Sequence, residues 1–140
     1  MKQFEVLYLP VGVPTFHLET AGDQFRKSRD LLLELARDLG MDPSRLRIPE
    51  EMLLSVEALD AFLEGTDPSL VILQNVTFAS SAYIARVLAR FDAPILVWTL
   101  REPRGDGGRL RLNSLTGAYA AGNLIYTAGT GTFSYLLGAP

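Results

Sequence analysis

Three apolar runs, Val6 to Leu9, Leu70 to Leu73 and Ile95 to Trp98, are continuous instead of alternating, and each is bounded by turn chemistry. A strand with one wet face alternates apolar and polar residues, so an unbroken run of strand length points to a parallel sheet covered on both faces. Pro10 and Gly12 close the first run, Asp67-Pro68 opens the second and Ala93-Pro94 the third. Such strands need long crossovers, and the residues between them carry the helical period.

From Asp23 to Leu39 the residues Phe25, Leu32, Leu35, Ala36 and Leu39 form one stripe, with Asp23 in the N-cap position and Gly40 just past the end. Ser55 caps a second helix that runs to Leu63 and stops at Gly65. A third spans Ala79 to Phe91 with Ile84, Val87, Leu88 and Phe91 on one side, and Asp92-Ala93-Pro94 ends it. Asn113 or Ser114 starts a small-residue helix through Ala121 and as far as Thr127. Leu46 to Ile48 reads as a short strand and Thr132 to Leu137 as the last. Right-handed crossovers then predict an α/β fold: a three-layer, doubly wound, five-stranded parallel sheet in the flavodoxin-like order 2-1-3-4-5.

Composition limits what this sheet serves. With 140 residues, 48% of them hydrophobic and 21% charged, residues 1–140 are expected to form one domain burying roughly two thirds of its unfolded surface. A net charge of -3 argues against a nucleic-acid or anionic-membrane partner. The absence of cysteine removes disulfides and thiolate metal sites, and the start MKQFEVLYLPVG has no signal-peptide pattern. No apolar run approaches the ~18 residues of a membrane span, so a cytoplasmic location is expected. The sequence stops almost with the fifth strand, at Gly138-Ala139-Pro140, which suggests the N-terminal piece of a longer polypeptide.

In open α/β sheets a ligand sits beyond the carboxyl ends of the strands, at the point where strand order reverses. Three loops are expected to meet there: Pro10 to Thr20, Gln74 to Phe78 and Thr99 to Leu112. None carries GxxxxGK[ST] or GxGxxG, and the first lacks the hydroxyl-rich phosphate loop of an FMN site. Gly129-Thr-Gly131-Thr-Phe133 precedes a strand and reads as a turn. His17 is the sole histidine and is read as solvated or structural, so no nucleophilic triad or His/Asp/Glu metal cluster is expected, and no catalytic residue is assigned.

What the loops do hold is hydrogen-bonding and aromatic chemistry. Gln74 and Asn75 end a strand with amides able to bind a hydroxylated ligand or to satisfy the strand end, and Phe78 offers a flat apolar face. Trp98 continues the run ILVW and reads first as core. Arg101 and Glu102 have each other, a ligand or a neighbouring subunit as partners.

Three stretches together, LQNVTFASSAYIARVL, APILVWTLREP and GGRLRLNSLTGAYAAGNLIYTAG, resemble the N-terminal region of the L-fucose isomerase and L-arabinose isomerase superfamily, particularly its fucose-isomerase-like members. Residues 65 to 138 carry the likeness and the first 64 share it mainly by pattern. Its most specific element is Trp98 to Pro103 followed by Gly107-Gly108 and Asn113 to Gly117. Characterised members usually have a longer N-terminal region.

The resemblance implies a part of an aldose-ketose isomerase that uses manganese or another divalent metal. There a base moves a proton through an ene-diol and the cation stabilises the developing oxyanion. Metal ligands and proton-moving groups would lie beyond residue 140, so this chain would carry no cofactor and be silent alone. It would pack with other domains and subunits and help wall a sugar pocket. By position, Gln74, Asn75, Phe78, Trp98, Arg101, Glu102 and Asn113 fall in the walling loops. The arginine loop Arg104 to Arg109 would be a rim element, mobile in an isolated domain, facing a partner domain or subunit. The alternative is a stand-alone flavodoxin-like binding or interaction module.

Overall fold

Strand β1 (Val6–Val11) lies inside a sheet, with its six residues all buried. In the computed structural model, which describes residues 2–103, 108, 110–128 and 133–138, it pairs with β2 (Leu46–Arg47) on one side and β3 (Leu70–Asn75) on the other. β3 pairs in turn with β4 (Ile95–Leu100), and β4 with β5 (Phe133–Gly138). All four pairings are parallel and the order is β2-β1-β3-β4-β5, the doubly wound order anticipated from the apolar runs.

Helix α1 (Leu18–Asp38) covers one face, where Tyr8, Phe25, Leu32, Ile72, Trp98 and Leu100 are buried together. Helices α2 (Val56–Leu63), α3 (Ser81–Arg90) and α4 (Ser114–Ala128) cover the other, over Leu7, Leu9, Val71, Leu73, Ile95 and Val97. Odd and even strand positions thus feed different layers, as a period of two requires.

Several boundaries differ from the sequence expectation for local reasons. Helix α1 begins at Leu18, one turn and more before Asp23. His17 is its N-cap, with its ring Nδ1 accepting from the Thr20 N–H at 3.3 Å, while Asp23 lies on the exposed side and pairs with Arg26. Gly40 does take the left-handed conformation past the helix end, with φ of +67°.

β1 runs through Pro10 to Val11. The Pro10 carbonyl accepts from Leu53 N–H at 2.8 Å on the flank where β2 has already ended, so the missing proline N–H removes no ladder bond. β3 and β4 also continue two residues beyond their apolar runs, because Gln74, Asn75, Thr99 and Leu100 are buried. Ser55 caps α2 as expected, accepting from Ala58 N–H at 3.1 Å. No helix among the described residues is long and apolar enough to cross a membrane.

One polar chain stitches the α1 layer to the sheet. The Tyr8 hydroxyl donates to Gln74 Oε1, and Gln74 Nε2 donates to Ser28 Oγ at 2.9 Å, all within the interior. Burial raises the pKa of the Tyr8 phenol above the ordinary tyrosine range. An unfolded tyrosine loses its proton near pH ~10 while the folded one keeps it, so this stabilisation is complete below that pH and fades as pH rises. An alkaline ultraviolet titration should therefore leave at least one of the five tyrosines un-ionised until ellipticity is lost. Smooth ionisation of all five in the folded chain would refute this.

Candidate functional site

The strand tips carry the polar residues singled out above, and alternation sends them in different directions. Gln74 and Trp98 point to the α1 side. Gln74 is fully enclosed and its amide is used by Tyr8 and Ser28, while the Trp98 ring sits 6.3 Å from that of Tyr8. The Gln74 amide does not reach a tip surface of this chain and acts as core; Trp98 is buried too, but its Nε1 lies 3.5 Å from where a Cβ at Gly138, the last residue of β5, would stand.

Asn75 points to the other face and is also buried. Its Oδ1 has no hydrogen-bond partner among the described residues, and its amide lies against the backbone of Gly117 in α4. Phe78 is half-buried and tilted against Phe16 of the β1–α1 loop, with ring centroids 6.3 Å apart.

The three loops expected to converge do so, on the peptide at residues 111–113. Arg111 and Leu112 carbonyls accept from His17 N–H at 3.2 Å and Phe78 N–H at 2.7 Å, tying in the loops after β1 and β3. On its other side the same peptide donates to a carboxylate. Glu102 accepts from the N–H groups of Arg111 at 3.1 Å, of Leu112 at 3.2 Å, and of Asn113.

Successive N–H groups before a helix make an anion-binding concavity, and here the chain's own carboxylate fills it. That excludes a phosphate from the spot without any appeal to motif. Asn113 makes the turn into α4 with φ of 53°, a left-handed conformation that asparagine tolerates, and its Oδ1 accepts from Thr116 Oγ1 at 2.7 Å. Asn113→Ala should cost about 1–2 kcal/mol in denaturant unfolding through left-handed strain and loss of the Thr116 hydrogen bond, and Asn113→Gly distinctly less.

The strand-order switch between β1 and β3 is bridged by protein. Thr77 Oγ1 accepts from Val13 N–H and donates to the Phe78 carbonyl, each at 2.9 Å, and the Tyr83 hydroxyl donates to the Gly12 carbonyl at 2.8 Å. No motif singles out Thr77 or Tyr83. The one cue is Gly12, where a Cβ would stand 2.7 Å from Thr77 Oγ1.

A cavity of about 270 Å³ opens instead at the tips of β4 and β5. It is lined by Arg101, Glu102, Asn113, Thr116 and the apolar Leu100, Leu110, Leu115 and Leu137. Three of the seven sequence-selected residues thus meet at one opening and the other four do not. Arg101 is exposed, its backbone N–H is held by the Gly138 carbonyl at 2.9 Å, and its guanidinium has no ion pair among the described residues. The loop Arg104 to Arg109 lies outside the described residues except Gly108, as does the turn at Gly129 to Thr132. Among the described residues, no three of His, Asp and Glu come together to hold a metal ion.

No protein-family profile matches the sequence. Individual relatives do. The chain is 50% identical over all 140 of its residues to a sulfoquinovose isomerase of Clostridium sp. (strain MSTE9), covering 30% of that protein. It is 38% identical over 128 residues, 89% of the chain and 27% of the relative, to a sulfoquinovose isomerase of Priestia megaterium. A third, from Alkalicoccus urumqiensis, is 34% identical over 96% of the chain and 29% of its own length. The chain therefore spans less than a third of the relatives it matches.

Proposed function

We propose, from the premise that this chain belongs with the L-fucose/L-arabinose isomerase-like sugar isomerases as a counterpart of their N-terminal part, that it serves as the rim and assembly domain of a cytoplasmic ketol-isomerase. The observation that carries this reading is the 50% identity along the whole chain to a protein of that activity. The cysteine-free composition is in keeping with the location.

Aldose-ketose exchange moves a proton between neighbouring carbons, which needs a positioned base and a cation at the developing oxyanion. The described residues do not fit that cation, since no donor cluster forms among them. On this reading manganese or another divalent metal and the proton-moving groups would be supplied by the longer polypeptide. What this chain supplies is recognition and shape. Arg101, Asn113 and Thr116 line the strand-tip cavity, and Glu102 fixes the peptide from which Asn113 projects. In an oligomer this opening would face the sugar pocket of a neighbouring subunit.

Sulfoquinovose carries a sulfonate, and the Arg101 guanidinium, which has no ion pair among the described residues, is a suitable partner for that anion. Ketose formation from sulfoquinovose, L-fucose, L-arabinose and D-arabinose, assayed with manganese, tests the reading. The product of the complete reading frame should convert sulfoquinovose and the 140-residue chain alone should convert none. Arg101→Met should raise KM for sulfoquinovose about tenfold, the loss of one charge-assisted contact, and leave the melting temperature unchanged. Turnover by the short chain, or none by the long one on any of the four sugars, overturns the proposal.

A further inference from the structure

The two faces of the sheet are unequally covered. Three helices lie over the face of Leu7 and Val97, whereas α1 alone lies over the face of Tyr8 and Trp98. Register shows what this leaves open. Leu96 pairs with Ile72 and Ser134, and Trp98 with Gln74 and Leu136, so Leu96, Ser134 and Leu136 continue the α1-side face outward to the edge strand. Leu136 is 48% exposed there and Ser134 is exposed.

The flank of α1 beside this face is apolar too, with Leu35 at 49% and Leu39 at 73% exposure. Between that flank and the strands β1, β2 and β3 runs a groove of about 280 Å³ lined only by apolar residues, among them Val6, Leu35, Leu39, Leu46, Leu70 and Ile72. Parallel sheets are found covered on both faces, because each strand is apolar on both. The exposed α1-side positions of β5, Ser134 and Leu136, together with the apolar groove beside α1, are the seat of a missing layer element.

We infer that this seat is filled by an amphipathic helix of the same polypeptide, from the part that in the relatives follows the matched region, lying beside α1 from the groove at β3 toward the exposed edge strand β5. The relatives supply more than twice the length of this chain beyond the matched part. The carboxyl end of β5 is at the edge of the seat, so the polypeptide following it reaches the face by one turn back along the sheet. The occupant presents leucine- or phenylalanine-type side chains and no buried charge, since the groove offers no ionic partner. This inference rests on the reading as part of a longer isomerase and adds which face holds the parts together.

The chain has no cysteine, so single introduced thiols report cleanly. Leu136→Cys and Leu39→Cys place one on the seat, and Ala85→Cys places one on the exposed side of α3. Each is made in the 140-residue chain and in the product of the complete reading frame, and maleimide labelling is timed under native conditions. The seat thiols should label at least about tenfold more slowly in the long form, independent of dilution, and Ala85→Cys equally in both. A photo-crosslinker at position 136 should reach the residues just beyond 140.

Equal labelling in the two lengths overturns the inference. So does protection that vanishes on dilution, which marks a second copy as the occupant, or a reading frame that ends at Pro140. Isomerase activity of the same long preparation separates the two proposals: protected but inactive sinks the functional reading alone, and active but unprotected sinks this one alone.

Discussion

Gly117→Ala should destabilise the chain by about 2 kcal/mol, whereas Gly22→Ala should leave it unchanged or up to about 1 kcal/mol more stable. Both glycines lie inside helices, where alanine is ordinarily favoured because it fixes the backbone at less entropic cost. Their surroundings reverse the sign at one of them. A Cβ at Gly22 meets the far ends of two flexible side chains, Arg26 at 3.4 Å and Met52 at 3.9 Å, which can swing aside. A Cβ at Gly117 would stand 2.5 Å from Asn75 Nδ2 and 3.0 Å from the Ala79 backbone nitrogen. Neither group can give way, since Asn75 is buried at the end of β3 and Ala79 leads into α3. Helix α4 must then lift off the sheet and open the packing of Ala118, Ala121 and Ile125. Thermal unfolding followed by circular dichroism should show a drop of about 6–8 °C for Gly117→Ala and none for Gly22→Ala. Equal behaviour of the two would mean that α4 does not pack this closely on the tip of β3.

That close approach marks the limit of what the bare sequence tells. The inner strands were legible because burial on both faces leaves an uninterrupted apolar run, and the strand order followed from crossover length and handedness. The strand ends were not, because Gln74, Asn75 and Thr99 look like loop residues while their environment is core. Polar residues at a strand tip read as ligand contacts on any scale of composition. Whether they see solvent is decided by what covers them, and the cover comes from far along the chain: Ser28 over Gln74, Gly117 over Asn75. The start of α1 was missed for a similar reason. A histidine cap lies outside the usual Ser/Thr/Asp/Asn set, while Asp23 offers the expected chemistry one turn too late. Arg101, Glu102 and Asn113 were picked out individually, but their meeting at one opening depends on a carboxylate reaching across a glycine-rich loop, which no spacing rule encodes.

Glu102→Ala should cost about 3 kcal/mol, the larger of the two effects, because it frees three N–H groups that now share one carboxylate. Hydrogen bonds to an ionised acceptor are individually stronger than neutral ones, and N–H groups left without a partner in a half-buried site add to the loss. The damage should spread along a defined route. Arg111 and Leu112 receive bonds from His17 and Phe78 on their carbonyl side, so loosening the 111–113 peptide also loosens the loops after β1 and β3. Amide exchange should accordingly quicken at residues 17, 78 and 111–113 together, and the Leu73 and Val97 amides inside the sheet should follow only the global stability. Glu102→Gln retains one accepting oxygen and gives up the charge, so it should fall between wild type and alanine. If the residue instead served the sugar directly, Glu102→Gln would abolish turnover in the complete protein while the exchange pattern at 111–113 stayed as in wild type. Coupled loss of exchange protection and of affinity for substrate, graded Gln before Ala, is the outcome that makes Glu102 the brace of the rim.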